Sequence, residues 1–202
     1  KEVKGRAIFI KTRKTTAQVS LSPSKNSLIT PQYEKYETEK IEFSTSAVSL
    51  QLNPLKGGTI EKAIFNDISQ KPLFGTIPHG YYESPKWSPD FFSGHFLGTD
   101  REDTKLTDLQ KAVVYIPKDK NLFPVAFPVI VEVDSKIGLI RKTYYLYQDI
   151  PCFDLVYHFH FNHFNPVSFR LGMLTIFPLS FDLDSLFYAC HNGGNNLEMF
   201  SI

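Results

Sequence analysis

The stretch CFDLVYHFHF, residues 152–161, alternates without interruption: Phe153, Leu155, Tyr157, Phe159 and Phe161 fall on one side of an extended chain, and Asp154, Val156, His158 and His160 on the other. Rings and branched aliphatics at every second position make a half-buried strand, its aromatic face turned to a core. The segments around it have the same texture. KAVVYIP, FPVIVEV and GLIRKTYYLY precede it and FRLGMLTIFPL follows, separated by DSKIG, QDIP and NHFNP. These connections are too short for helical crossovers, so successive strands must pair antiparallel. The expected class is all-β, an antiparallel β-sandwich. One helical turn is expected at TDLQKA, where Thr107 has the chemistry of an N-cap.

Upstream, IEFSTSAVSLQL, the turn NPLKGG and TIEKAIFND read as a hairpin that opens the sandwich at residue 41. Residues 1–40 differ: apart from one short strand expected over residues 7–10, they are polar and Pro-interrupted, as in an arm lying on a surface, with Lys11, Arg13 and Lys14 a solvated face. Two units are therefore expected, an arm at 1–40 and a sandwich at 41–202. The first residues, KEVKG, have neither an initiator Met nor the apolar region of a signal peptide, and the chain reads as an excised or processed piece.

Composition narrows the partners. Lys and Arg total 22 against 21 for Asp and Glu, so no field draws nucleic acid or an anionic membrane, and no apolar run is long enough to span a bilayer. Aromatic residues are the excess, with 18 Phe and 10 Tyr and a single Trp at position 87. Many of them gather in HGYYESPKWSPDFFSGH, residues 79–95, whose prolines and glycines forbid regular structure. Three roles fit that loop. As a sugar platform, Trp87, Tyr81 and Tyr82 would stack on the apolar faces of sugar rings while His79, Glu83, Asp90 and His95 bond their hydroxyls. As a plug, Phe91, Phe92 and Phe96 would turn inward and close one end of the core. As a metal site, its histidines lie far apart with no supporting ligand spacing.

Other constellations are weaker. His158 and His160 stand two apart on a strand, with His163 just beyond, a spacing that lets imidazoles share a metal but lacks a further ligand. Asp182 and Asp184, on one side if extended, resemble the carboxylate pair of glycoside cleavage, although alternating Asp on an exposed strand is ordinary. Asp100, Glu102 and Asp103 in GTDREDT read as a solvated turn without the spacing of a calcium loop. In YACHNGGNNLEMF the Asn-Gly pair signals a hairpin turn, and His191, Asn192 and Glu198 beside it are able to hydrogen-bond sugar hydroxyls. Cys152 and Cys190 suggest neither a zinc ribbon nor a disulfide scaffold. No metal site is assigned, and no phosphate loop, nucleophile elbow or Cys/His pairing calls for a cofactor.

Three stretches carry a family resemblance. IEFSTSAVSLQLNPLKGGTIEKAIFND resembles the opening strands of the β-sandwich that follows the catalytic domain in glycoside hydrolase family 38 α-mannosidases and family 57-like enzymes; LIRKTYYLYQDIPCFDLVYHFHFN is similar to the long hairpin of those domains, and FRLGMLTIFPLS to the strand after it. The resemblance spans roughly residues 41–202 and implies a supersandwich of the galactose-mutarotase type. In that family the catalytic acids and the zinc belong chiefly to the preceding domain, so no catalytic residue is carried over. What the resemblance implies is an accessory domain of a carbohydrate-active enzyme, packed on the catalytic domain of the parent chain and contributing loops to a glycan site. The alternatives are a free-standing carbohydrate-binding module and a mutarotase-like sugar epimerase using His and Glu as acid and base.

Overall fold

The computed structural model describes residues 3–7, 31–77, 89–162, 168–191 and 193–201. Its strands in chain order are β1 (Val3–Ala7), β2 (Tyr33–Tyr36), β3 (Ile41–Ser44), β4 (Val48–Asn53), β5 (Thr59–Phe65), β6 (Phe74–Gly75), β7 (His95–Thr99) and β8 (Lys105–Thr107). They continue with β9 (Ala112–Pro117), β10 (Ala126–Ser135), β11 (Gly138–Tyr147), β12 (Phe153–Phe161), β13 (Ser168–Met173), β14 (Phe187–Cys190) and β15 (Glu198–Ser201). Among the described residues helix is confined to single 3-10 turns, and every strand pairing is antiparallel. The protein is an all-β antiparallel sandwich.

The long hairpins build the larger layer, ordered β1-β12-β11-β10-β9-β2. DSKIG closes β10 on β11 in two residues, with Ser135 opposite Gly138 and the Ser135 hydroxyl donating to the Gly138 carbonyl (2.6 Å). The expected alternation of β12 holds: Phe153, Leu155, Tyr157 and Phe159 are buried and Phe161 packs against the core from its edge. Phe127, Val129, Val131 and Val133 of β10 join them in one apolar cluster, as do Ile140, Tyr144 and Leu146 of β11. The opposing layer is the sheet β3-β4-β5-β6, which contributes Phe43, Val48, Leu50, Leu52, Ile60 and Ala63 to the same cluster. A three-stranded sheet, β13-β7-β8, adjoins this layer through bridges at Ile60–Ser93 and Phe74–Ile176.

NPLKGG is a turn, as its composition demands. Asn53 caps the 3-10 turn Pro54–Lys56, accepting from the Leu55 amide (3.0 Å), and Gly57 follows at φ 67°. A Cβ at Gly57 would stand 1.8 Å from the Asp108 carbonyl oxygen, so only glycine lets the β4–β5 hairpin meet the 108–110 segment, where the Gly57 amide donates to the Gln110 carbonyl (2.6 Å).

Two expectations change. Parts of the stretch read as an arm belong to the large sheet: β2 pairs with β9, Tyr36 opposite Val114, and β1 pairs with β12. An early strand covers Val3–Ala7; residues 8–10, the rest of the strand expected over residues 7–10, lie outside the described set, as does the rest of the arm to residue 30. No helix forms at TDLQKA: Thr107 ends β8, and the next residue, Asp108, is drawn into the interior. Between β8 and β9 the chain bends at Asp108 and Gln110 with Asp108 and Leu109 both buried, and no helical turn forms.

Candidate functional site

The inner face of β11 reads Ile140, Lys142, Tyr144, Leu146, so a lysine stands in the core at an apolar position. Asp108 answers it: Lys142 Nζ lies 2.9 Å from Asp108 Oδ2, and neither side chain has exposed surface. Asp108 Oδ1 accepts the Phe96 amide (2.8 Å), and Lys142 also donates to the Gly94 carbonyl (3.1 Å). The Tyr157 hydroxyl donates to the same Gly94 carbonyl (3.0 Å) and Tyr144 to that of Gly58 (2.8 Å). Burial pushes the Lys142 ammonium down and Asp108 opposes the shift. Burial, reinforced by the Asp108 charge, holds the Tyr144 and Tyr157 phenols well above their ordinary range, so both stay protonated donors.

This buried network anchors the end of the aromatic stretch. The Ser93 hydroxyl donates to the Gly75 carbonyl (2.6 Å) and accepts the Thr175 amide (2.8 Å), while Phe92 and Phe96 are buried, the inward placement the plug reading expects. Asp90 and His95, two of the predicted sugar contacts, come together here. His95 is buried, its Nδ1 bonded to the Phe92 carbonyl oxygen (2.6 Å). Among the described residues its Nε2 has no hydrogen-bond partner; Asp90 Oδ1 stands 3.9 Å away, and Arg170 Nη2 approaches the same oxygen to 3.3 Å. Burial pushes the His95 imidazole below its ordinary value against the pull of Asp108 and the Phe92 carbonyl. His79, Tyr81, Tyr82, Glu83 and Trp87 lie outside the described residues.

Of the remaining candidates, His191 and Glu198 stand at the base of the β14–β15 hairpin, both exposed, with Glu198 opposite Cys190 and His191 Nδ1 bonded to the Asn196 carbonyl oxygen (3.2 Å). That is turn chemistry; Asn192 and His163 lie outside the described residues. Asp182 and Asp184 do not share the face of a strand. Asp182 heads the 3-10 turn Leu183–Ser185, its carboxylate accepting the Asp184 amide (3.2 Å) and the Ser185 hydroxyl (2.9 Å), because a short acidic side chain satisfies the free amides of such a turn. Asp100 does the same for Glu102 and Thr104 in the exposed turn after β7.

The site that sequence reasoning missed is on the outer face of the large sheet. Tyr33 of edge strand β2 and His158 and His160 of β12 line one depression of about 470 Å³, although three strands separate them, so the twisted sheet is concave on this side. Its floor is Pro128 and Ile130 of β10 with Thr143 of β11; Arg141, Tyr145 and Phe123 complete the walls. A second depression of about 300 Å³ adjoins it, lined by Ala126, Tyr147, Asp154, Val156 and, again, Tyr145. Tyr145 is 37% exposed, and among the described residues no hydrogen bond or ring stack engages it. Arg141 is held by Glu132 through Nε (2.9 Å) and Nη2 (2.6 Å), which fixes the guanidinium fork at the rim, and the Tyr147 hydroxyl donates to Asp154 (3.1 Å). The signal for this groove was the polar face of residues 152–161, which held His158 and His160, but its partners on β10 and β11 emerge only from strand register. Among the described residues no three His, Cys, Asp or Glu side chains come together as metal ligands.

No protein-family model, curated protein or solved structure matches the chain. Among the described residues no helix is long and apolar enough to cross a membrane.

Proposed function

We propose that this sandwich is a glycan-binding accessory domain working beside a glycoside hydrolase catalytic domain of the same parent chain, and that the glycan lies in the outer groove of the large sheet. The observation that carries this reading is the unengaged Tyr145 ring standing over a floor of Pro128, Ile130 and Val156 between hydrogen-bonding rims. Sugars present apolar C–H faces and a periphery of hydroxyls; they bind where a ring face meets fixed donors and acceptors. Arg141, His158 and His160 supply these on one side and Tyr147 with Asp154 on the other.

A second surface supports the accessory role. The β14–β15 hairpin leaves Phe187, Tyr188, Leu197 and Met199 more than half exposed, at 52, 52, 58 and 62%. An exposed apolar hairpin is what a domain offers to a covalently attached neighbour, here the catalytic domain.

The test is a screen of mannose-, glucose- and galactose-based oligosaccharides by titration calorimetry, with Trp87 emission followed in parallel. At least one series should bind, and Tyr145→Ala should weaken it about tenfold or more at unchanged melting temperature. If no series binds, the glycan reading fails. Binding that ignores Tyr145→Ala while quenching Trp87 would move the site to the 79–95 stretch.

A further inference from the structure

The proposed glycan reading leaves open whether the groove takes a chain end, a single sugar or a run of sugars. The lining residues follow the register of three strands. Arg141 lies opposite His158, Thr143 opposite Ile130 and Val156, and Tyr145 opposite Pro128 and Asp154. Along β11 the larger depression, which also reaches across the sheet to Tyr33 of β2, is followed by the smaller one at the Tyr147 end. From Arg141 to Tyr147 the strand advances ~20 Å at about 3.3 Å per residue, several times the width of one pyranose ring. The polar groups are concentrated at its two ends, Arg141 with His158 at one and Tyr147 with Asp154 at the other, while the short side chains of Thr143, Ile130 and Val156 occupy the middle. Tyr145 belongs to both depressions and forms the ridge between them.

We propose that the groove binds an internal stretch of a linear glycan laid along β11, in two subsites divided by Tyr145. This rests on the glycan reading and deepens it. A single sugar reaches only one of the polar ends; a chain long enough to pass the tyrosine engages both, and the second contact is made at the high effective concentration that the first imposes. Among the described residues both depressions lie on the outer face of the sheet, and on this proposal the chain continues past either end, so that recognition does not depend on a reducing or non-reducing terminus.

The experiment uses the whole 202-residue chain and the oligosaccharide series that binds best in the screen, from monosaccharide to hexasaccharide, each also as its borohydride-reduced form. Affinity should rise about tenfold or more between the disaccharide and the tetrasaccharide and then level off, with reduction of the terminus changing the longer ligands little. Val156→Arg projects a long charged side chain into the smaller depression and should abolish the gain with length, the variant binding tetrasaccharide within about twofold of its own affinity for disaccharide. Circular dichroism and melting of that variant report its fold; if it does not fold, Val156→Gln and the length and end-reduction series of the unaltered chain decide. Equal affinity for monosaccharide and tetrasaccharide, or loss of binding on reduction of the chain end, overturns the internal-chain proposal while the glycan reading stands. Absence of binding by every saccharide overturns the glycan reading itself.

Discussion

Lys142 is the residue on which the interior turns. Neither it nor Asp108 is stable in the core without the other: with one partner removed, the remaining charge is buried unpaired. Lys142→Met should therefore cost roughly 3–5 kcal/mol in denaturant unfolding, and the double change Lys142→Met with Asp108→Asn should cost less than the sum of the single changes. Additive losses would show that the two side chains do not act as a pair. His95 adds a pH dependence. Its folded-state affinity for a proton is depressed below the ordinary value of 6.5, so the unfolded chain binds the proton first as pH falls. The stability tied to a neutral His95 is fully present above about pH 6.5 and is lost progressively below it, and His95→Gln should flatten that part of the stability profile. An unchanged slope between pH 7 and 5 in the variant would exclude His95 as its source. Lys142 was legible in one respect: it falls in phase with Ile140, Tyr144 and Leu146. Lysines are so rarely buried that phase alone does not overrule their usual place, and Asp108, thirty-four positions earlier in an aperiodic turn, gives no sign of pairing with it.

Among the elements, strands were read well and turns unevenly, for a physical reason. Alternation over β12 fixes a face by itself, and NPLKGG and YACHNGG carry local turn chemistry. TDLQKA misled because its local preference for a helical turn is overridden by the burial of Asp108, a tertiary demand. Asp182 and Asp184 misled because a 3-10 turn and a short strand look alike over so few residues. The glycines separate local from tertiary demands. At Gly57 a side chain meets both a positive φ and the Asp108 carbonyl, whereas at Gly193 (φ 79°) a Cβ would meet nothing within 4 Å. Gly57→Ala should destabilise by more than about 2 kcal/mol and Gly193→Ala by about 1, measured by thermal melts on one preparation scale. Equal effects at the two positions would mean that the close approach of the β4–β5 turn to Asp108 does not matter.

At the scale of the whole molecule, the described residues present a concave outer face on the large sheet and an exposed apolar β14–β15 hairpin. The groove was only half legible from sequence. The outward histidines of β12 were visible as a polar face, but which side chains of β10 and β11 stand beside them depends on register and on the curl of the sheet, and neither is written in any one segment. The central claim is that glycan lies along β11. Its most direct test is a chemical-shift titration of the isotope-labelled protein with the saccharide that binds best in the screen. The account predicts shifts concentrated at Arg141, Thr143, Tyr145, Tyr147, Asp154 and His158, with His191 and Glu198 of the hairpin unmoved. Shifts at Trp87, Tyr81 and Tyr82 with a silent β11 would contradict it.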